Sequence, residues 1–193
     1  MPPRLAILVS GTGRTLQNLI DKIADNSLDA KIEIVIASRQ QLESESRAQR
    51  ATLRYEVIDP KSFENIESFS TKLFHRCDQF NIDLICLAGW LPRLKIPTRY
   101  DQRVISIHPA LLPKFSGKGM HGRHVHEAVL ASSETESGCT VHFVNDEYDA
   151  GPIVLQRRCP VLPHDTPDSL AERVFKEECL AYPQAIEKLM RSP

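Results

Sequence analysis

Short, continuous apolar runs alternate with helix-like stretches along the first half of the chain, and this alternation restricts the fold more than any other feature. The runs cover residues 5–9, 32–37, 55–58, 84–87 and 104–107, and are rich in Val, Ile and Leu. Between them, residues 15–24, 42–52 and 66–80 read as helix-like stretches. A strand that is apolar on both faces must be covered on both, which is the setting of a parallel sheet wrapped by helices. The second half changes character. A Gly/Lys loop (115–122) leads into a helix (123–131), followed by strands at 140–144 and 153–161 joined by the turn-forming segment 145–151. Thr166-Pro167 then supplies an N-cap and an N1 proline for a terminal helix reaching about Met190.

Size and composition fit this reading. The chain has 193 residues, 41% of them hydrophobic and 25% charged, and glycine plus proline is low enough to exclude collagen-like and disordered classes. No repeat or linker-like tract divides it, so residues 1–193 read as a single domain. The apolar run at 5–9 is too short for a membrane span or a secretory leader. Five cysteines, odd in number and without a C-x-x-C pair, suggest reduced thiols and a cytoplasmic location rather than a disulfide framework or a zinc site. Cys86, inside the fourth apolar run, reads as a packed core residue. The net charge is −1, so no global field draws the chain to nucleic acid or anionic membrane. Locally, Arg93, Lys95, Arg99, Arg103, Lys114, Lys118 and Arg123 are opposed by the single acid Asp101 between residues 84 and 126. This band is either an anion-attracting surface or a solvated face balanced by acids elsewhere in the fold.

In open α/β sheets, ligands bind beyond the carboxyl ends of the parallel strands. Three segments fall there. Ser10-Gly11-Thr12-Gly13-Arg14-Thr15 joins the first strand to the first helix, where unpaired N–H groups and the positive helix end suit a phosphate; a plain tight turn is the alternative. It lacks the Gly-Lys-Ser/Thr of a Walker loop, and Leu16 stands where a dinucleotide fingerprint needs its third glycine. Gly89-Trp90 follows the fourth strand. His108 closes the fifth, with Ser106 on the same face by strand alternation and Pro109 ending the strand. A histidine there suits general acid–base work or donation to an oxyanion, with a buried structural histidine as the alternative. Asp149 lies in a turn-rich stretch, and becomes functional only if the fold brings it to His108, where a carboxylate would hold the imidazole's tautomer. His121, His124 and His126 do not share the spacing of a zinc set.

These segments, taken together, resemble the phosphoribosylglycinamide formyltransferase family of the formyltransferase superfamily. The resemblance rests on the loop from Ser10 to Leu19, on Leu87-Ala88-Gly89-Trp90, on Ile107-His108-Pro109-Ala110-Leu111-Leu112-Pro113-Lys114-Phe115, and on Asp146-Glu147-Tyr148-Asp149-Ala150-Gly151-Pro152-Ile153, in that order and at similar spacings. It implies a Rossmann-like, mostly parallel sheet with helices on both faces and antiparallel C-terminal strands. It implies transfer of formyl from 10-formyltetrahydrofolate to the amine of glycinamide ribonucleotide in purine biosynthesis, with no metal, on small-molecule substrates, by a monomer or homodimer. Carried over by motif, the resemblance makes His108 and Asp149 catalytic and assigns Gly13, Arg14 and Thr15 to phosphate. Glu178 takes the ribose, and Trp90, Leu91, Pro92, Arg93 and Leu94 line the pterin pocket. The basic band gains two guests, the substrate phosphate and the folate's glutamate tail.

One position departs from the family pattern: Ser106 stands where the family has a catalytic asparagine. A serine hydroxyl is shorter and less pre-organised, so its hydrogen bond to an oxyanion is expected to be weaker. Three alternatives accompany the main reading. The first is hydrolysis of formyl folate, whose known enzymes carry an additional N-terminal domain for which this sequence leaves no room. The second is a catalytically weakened folate- or nucleotide-binding homologue. The third, an NADP-dependent oxidoreductase, rests on the first loop and Arg39.

Overall fold

A computed structural model describes residues 1–191. In chain order the elements are β1 (Arg4–Val9), α1 (Arg14–Ala24), β2 (Lys31–Ala37), α2 (Glu43–Arg50), β3 (Tyr55–Val57), α3 (Ile66–Asp78), β4 (Leu84–Leu87) and β5 (Val104–His108), followed by α4 (Arg123–Ala131), β6 (Glu136–Phe143), β7 (Ile153–Pro160) and α5 (Pro167–Arg191). The seven strands are hydrogen-bonded in the order β3-β2-β1-β4-β5-β6-β7. β1 pairs in parallel with β2 and β4, and β2 with β3, whereas β6 and β7 are antiparallel. The chain divides inside β5 into two compact units, residues 1–105 and the described residues from 106 onward.

In the first unit β1 is central. Leu5, Ala6, Ile7, Leu8 and Val9 are all 0% exposed, which is why this run is uniformly apolar. Burial of each of its larger side chains contributes roughly 1.5–3 kcal/mol. Helix α1 turns Leu16 and Leu19 inward, and α3 starts at a capping box in which the Asn65 side-chain Oδ1 accepts from the Ser68 N–H. Because β2 and β4 flank β1, the connections leaving β1 and β4 run to opposite sides, making a topological switch point beside β1.

In the second unit the β6–β7 ribbon packs against α5. The terminal helix begins as its sequence suggests, with Thr166 Oγ1 accepting from the Ser169 N–H and Ser169 Oγ accepting from the Thr166 N–H. β6 starts earlier than its sequence predicts, at Glu136 rather than Thr140. Glu136-Ser137-Gly138 looks like a loop by composition, but Ser137 pairs with Cys159 and Gly138 with Arg158, so cross-strand pairing overrides local propensity. All five cysteines are free thiols, and Cys86 is 0% exposed within β4.

Candidate functional site

The first candidate segment is built almost entirely from backbone. Gly13 occupies the N-cap of α1 with φ 75°, in the left-handed region, and no side chain caps that helix end. A Cβ at Gly13 would come within 2.7 Å of Ser44 Cβ, so the loop lies hard against α2. Arg47 reinforces the contact by donating to the Thr12 carbonyl at 2.9 Å. There is no acid in the first turn of α1, leaving the positive end of the helix uncompensated. At the switch point Ser10 ties three strand ends together. Its N–H donates to the Gly89 carbonyl at 3.1 Å, and its hydroxyl accepts from Ser38 Oγ at 2.8 Å and from the Leu91 N–H at 3.1 Å. The first two expected segments therefore meet.

The segment after β4 divides by burial. Trp90 stacks on Phe69 with ring centroids 6.2 Å apart, and Leu94 is also buried. Leu91, half exposed, and Arg93 face outward, with Pro92 between them partly covered. Trp90 therefore acts first as a core side chain that fixes the course of the segment.

In the second unit His108 and Asp149 come together. His108 is 4% exposed, and its Nδ1 lies 3.7 Å from Asp149 Oδ1. Its Nε2 lies 2.8 Å from the Phe115 carbonyl oxygen, a distance that places a proton on Nε2. Asp149 Oδ2 accepts from the Gly117 N–H at 3.2 Å. The Gly/Lys loop thus reaches back to both residues through its main chain. Gly151 makes this possible from the other side: a Cβ there would sit 1.8 Å from the Phe143 carbonyl oxygen, so only glycine lets the Asp149 turn close against β6.

Sequence reasoning missed His142. His142 lies on β6 beside a register shift, where β7 carries one extra residue, Val154; its Nδ1 lies 2.8 Å from the Phe143 carbonyl and its buried Nε2 lies 3.7 Å from the same Asp149 oxygen. Two imidazoles therefore face one carboxylate oxygen, and each has its other nitrogen at a backbone carbonyl. The one usable signal was strand alternation, which puts His142 on the same face of β6 as Thr140. Burial raises the Asp149 carboxyl pKa, but interaction with His142, then His108 and the Gly117 N–H, outweighs it and holds the group below its ordinary value. Burial chiefly lowers the His108 pKa, with Asp149 and the Phe115 carbonyl opposing it. At neutral pH the pair is accordingly a carboxylate and a neutral imidazole whose protonated form has two acceptors waiting.

Ser106 is half-buried on β5, and Glu178 lies on α5, where its charge adds to burial in raising the Cys139 thiol. Much of the basic band is committed locally. Arg99 pairs with Asp78 at 2.8 Å, Arg103 donates to the Asp83 and Ile82 carbonyls, Lys114 pairs with Glu134 at 2.6 Å, and Arg123 bonds Glu127 and Asp168. Arg99, Lys114 and Arg123 are thus balanced by acids, whereas Arg103 is held by main-chain carbonyls. His126 is buried on α4 whereas His121 and His124 are exposed, and among the described residues no group of three or more His, Cys, Asp or Glu could hold a metal ion.

Residues 3–186 match the family model described as formyl transferase. The chain is 39% identical over 191 residues to the trifunctional purine biosynthetic protein adenosine-3 of Drosophila melanogaster, covering 97% of this chain and 14% of that protein. It thus spans about one seventh of that curated relative. It is 32% identical to the phosphoribosylglycinamide formyltransferase of Escherichia coli K12, covering 94% of this chain and 84% of that enzyme. The crystal structure of glycinamide ribonucleotide transformylase 1 from Symbiobacterium toebii superposes with a TM-score of 0.89 at 34% identity, covering 96% of this chain and 86% of that one. A sheet whose strand ends carry this loop and this His–Asp pair, in a sequence matched from residue 3 to residue 186, belongs to the formyl transferase family.

Proposed function

We propose that this protein is a phosphoribosylglycinamide formyltransferase, moving formyl from 10-formyltetrahydrofolate to the primary amine of glycinamide ribonucleotide in purine biosynthesis. The observation that carries the reading is the buried His108–Asp149 pair, held by main-chain groups of Phe115 and Gly117, in a chain aligned over most of the Escherichia coli enzyme.

The amine attacks the formyl carbon, a C–N bond forms, and the carbonyl oxygen becomes an oxyanion. Collapse breaks the bond to the folate N10, and the proton lost by the new ammonium ends on that nitrogen, carried by water. His108 supplies an N–H to the oxyanion. Charged acceptors form stronger hydrogen bonds than neutral ones, so the oxyanion competes successfully with the Phe115 carbonyl for that proton. Asp149, kept ionised, orients the ring and stabilises it if it becomes imidazolium. Gly13, Arg14 and Thr15 take the substrate phosphate at the uncapped start of α1, Glu178 takes the ribose, and the segment from Trp90 to Leu94 lines the pterin site. The reaction as written calls for no metal. A cytoplasmic monomer or homodimer acting on small molecules, not on nucleic acid or membrane, completes the reading; no described helix is long and apolar enough to cross a membrane.

Formyl-transfer assays of His108→Ala and Asp149→Asn test this directly. Each is expected to lower kcat by about 10²–10⁴ with smaller changes in KM. Unchanged rates in both would overturn the assignment. Ser106 favours a second reading, a weakened homologue, because loss of one oxyanion donor costs about 10²–10³ in rate. Ser106→Asn is expected to raise kcat; no rise would remove the idea of a deficit at this position. Calorimetric binding of both substrates without turnover would favour the weakened homologue, and formate release without amine would favour a hydrolase.

A further inference from the structure

Pro109 has no N–H, so the β5 ladder ends at His108, yet two residues just beyond it are buried: Ala110 is 0% and Leu112 6% exposed. Their polar main-chain groups need partners there. Two side chains supply them. The Thr140 hydroxyl donates to the Ala110 carbonyl at 2.7 Å and accepts from the Leu112 N–H at 3.1 Å and from Gln156 Nε2 at 2.8 Å. That uses the one proton and both lone pairs of a residue 0% exposed. Gln156 Nε2 gives its second proton to the Leu112 carbonyl at 3.0 Å, so the amide's donors are also fully used. Thr140 and Gln156 are register partners on β6 and β7, and the device is therefore anchored to paired strands.

We propose that Thr140 and Gln156 are positioning residues for His108 and Asp149, forming a clamp from which the loop over the pair is suspended. The inference rests on the catalytic reading of that pair. Beyond the clamp the loop bonds to itself, Lys114 N–H to the Leu111 carbonyl at 3.2 Å and Ser116 Oγ to the Pro113 carbonyl at 2.9 Å. It then delivers the Phe115 carbonyl to His108 Nε2 and the Gly117 N–H to Asp149 Oδ2. Only two residues separate the clamped Leu112 from Phe115, so a displacement at Leu112 passes to the acceptor on His108 with little slack. The clamp also fixes the segment immediately after His108 itself. Neither clamp side chain touches the reacting atoms in this scheme; they act through the main chain of residues 110–112.

Thr140→Val keeps the shape and deletes the hydroxyl, whereas Thr140→Ser retains it. Gln156→Met keeps the length and deletes both donors. For Thr140→Val and Gln156→Met, kcat for formyl transfer is expected to fall 10- to 100-fold while KM for both substrates changes less than threefold. Thr140→Ser is expected to stay within threefold of the parent. Side-chain ¹⁵N spectra should show His108 losing its fixed Nε2 proton in Thr140→Val and keeping it in Thr140→Ser. Should Thr140→Val not fold, Gln156→Met carries the same test, because it leaves the Thr140 hydroxyl in place. If folded Thr140→Val or Gln156→Met keeps parental kcat and an unchanged His108 spectrum while His108→Ala abolishes turnover, the clamp is structural only and the proposal fails. If His108→Ala itself retains full activity, the failure belongs to the catalytic reading.

Discussion

The loop at the start of α1 and the His108 cluster are both candidate site regions, but they are made by opposite means. The first uses main chain: a left-handed glycine, an uncapped helix end, and a serine that joins neighbouring strand ends. Its residues are contiguous or lie at the ends of paired strands, so its geometry follows from the sheet. The second uses side chains drawn from β5, from β6 and from the turn at Asp149, 41 positions beyond His108, held by main-chain groups of Phe115 and Gly117. None of these positions is determined by a neighbour in sequence. A main-chain site tolerates changes of side chain, whereas the side-chain site depends on the β6–β7 ribbon closing in one register.

Replacing one glycine in each region should expose this contrast. Gly151→Ala places a Cβ 1.8 Å from the Phe143 carbonyl oxygen, an atom that cannot yield without moving β6. It is expected to cost about 2–4 kcal/mol in urea unfolding. It should also lower kcat by at least about 100-fold, because Asp149, two residues earlier, is displaced. Gly13→Ala meets Ser44 Cβ at 2.7 Å and takes on the strain of a left-handed backbone, about 1–3 kcal/mol in all. Its kinetic effect should fall on KM for the phosphorylated substrate, with kcat largely kept. If Gly13→Ala instead lowers kcat while Gly151→Ala changes KM alone, the division of labour between the two regions is wrong.

A smaller effect concerns pH. Burial lowers the pKa values of His108 and His126 in the second unit below the ordinary 6.5. Below about pH 6.5 the unfolded chain binds protons that these folded imidazoles refuse, so stability is full above that value and declines as pH falls beneath it. Asp149, whose carboxyl lies below its ordinary 3.8, adds a further loss only in stronger acid. The melting temperature at pH 5 is expected to lie a few degrees below that at pH 7.5, and His126→Leu should flatten the difference. A melting temperature independent of pH across this range would show that burial does not depress these histidines.

Most elements were legible because their signals are local: continuous apolar runs, the Thr166-Pro167 helix start, and the glycine-bearing loop. His108 was legible from its place at a strand end. Its partners were less so. Strand alternation sets the face of His142 but not its approach to Asp149, and Thr140 and Gln156 look like ordinary strand residues until β6 and β7 are paired. The two readings of the basic band could not be separated locally, since Asp78, Glu134 and Asp168, which partner Arg99, Lys114 and Arg123, lie between 20 and 45 positions away.

The sequence by itself determined the alternation of buried strands and amphipathic helices, the anion-suited helix start after β1, and the type of group at the end of β5. These follow from hydrophobic periodicity and backbone conformational preference, which act over a few residues. Only the tertiary structure decided that one carboxylate serves two histidines, that main-chain groups of the Phe115 loop hold the pair, and that Arg99, Lys114 and Arg123 are each paired with an acid. Those are contacts between residues distant in the chain, fixed by strand register and burial, and no local pattern encodes either.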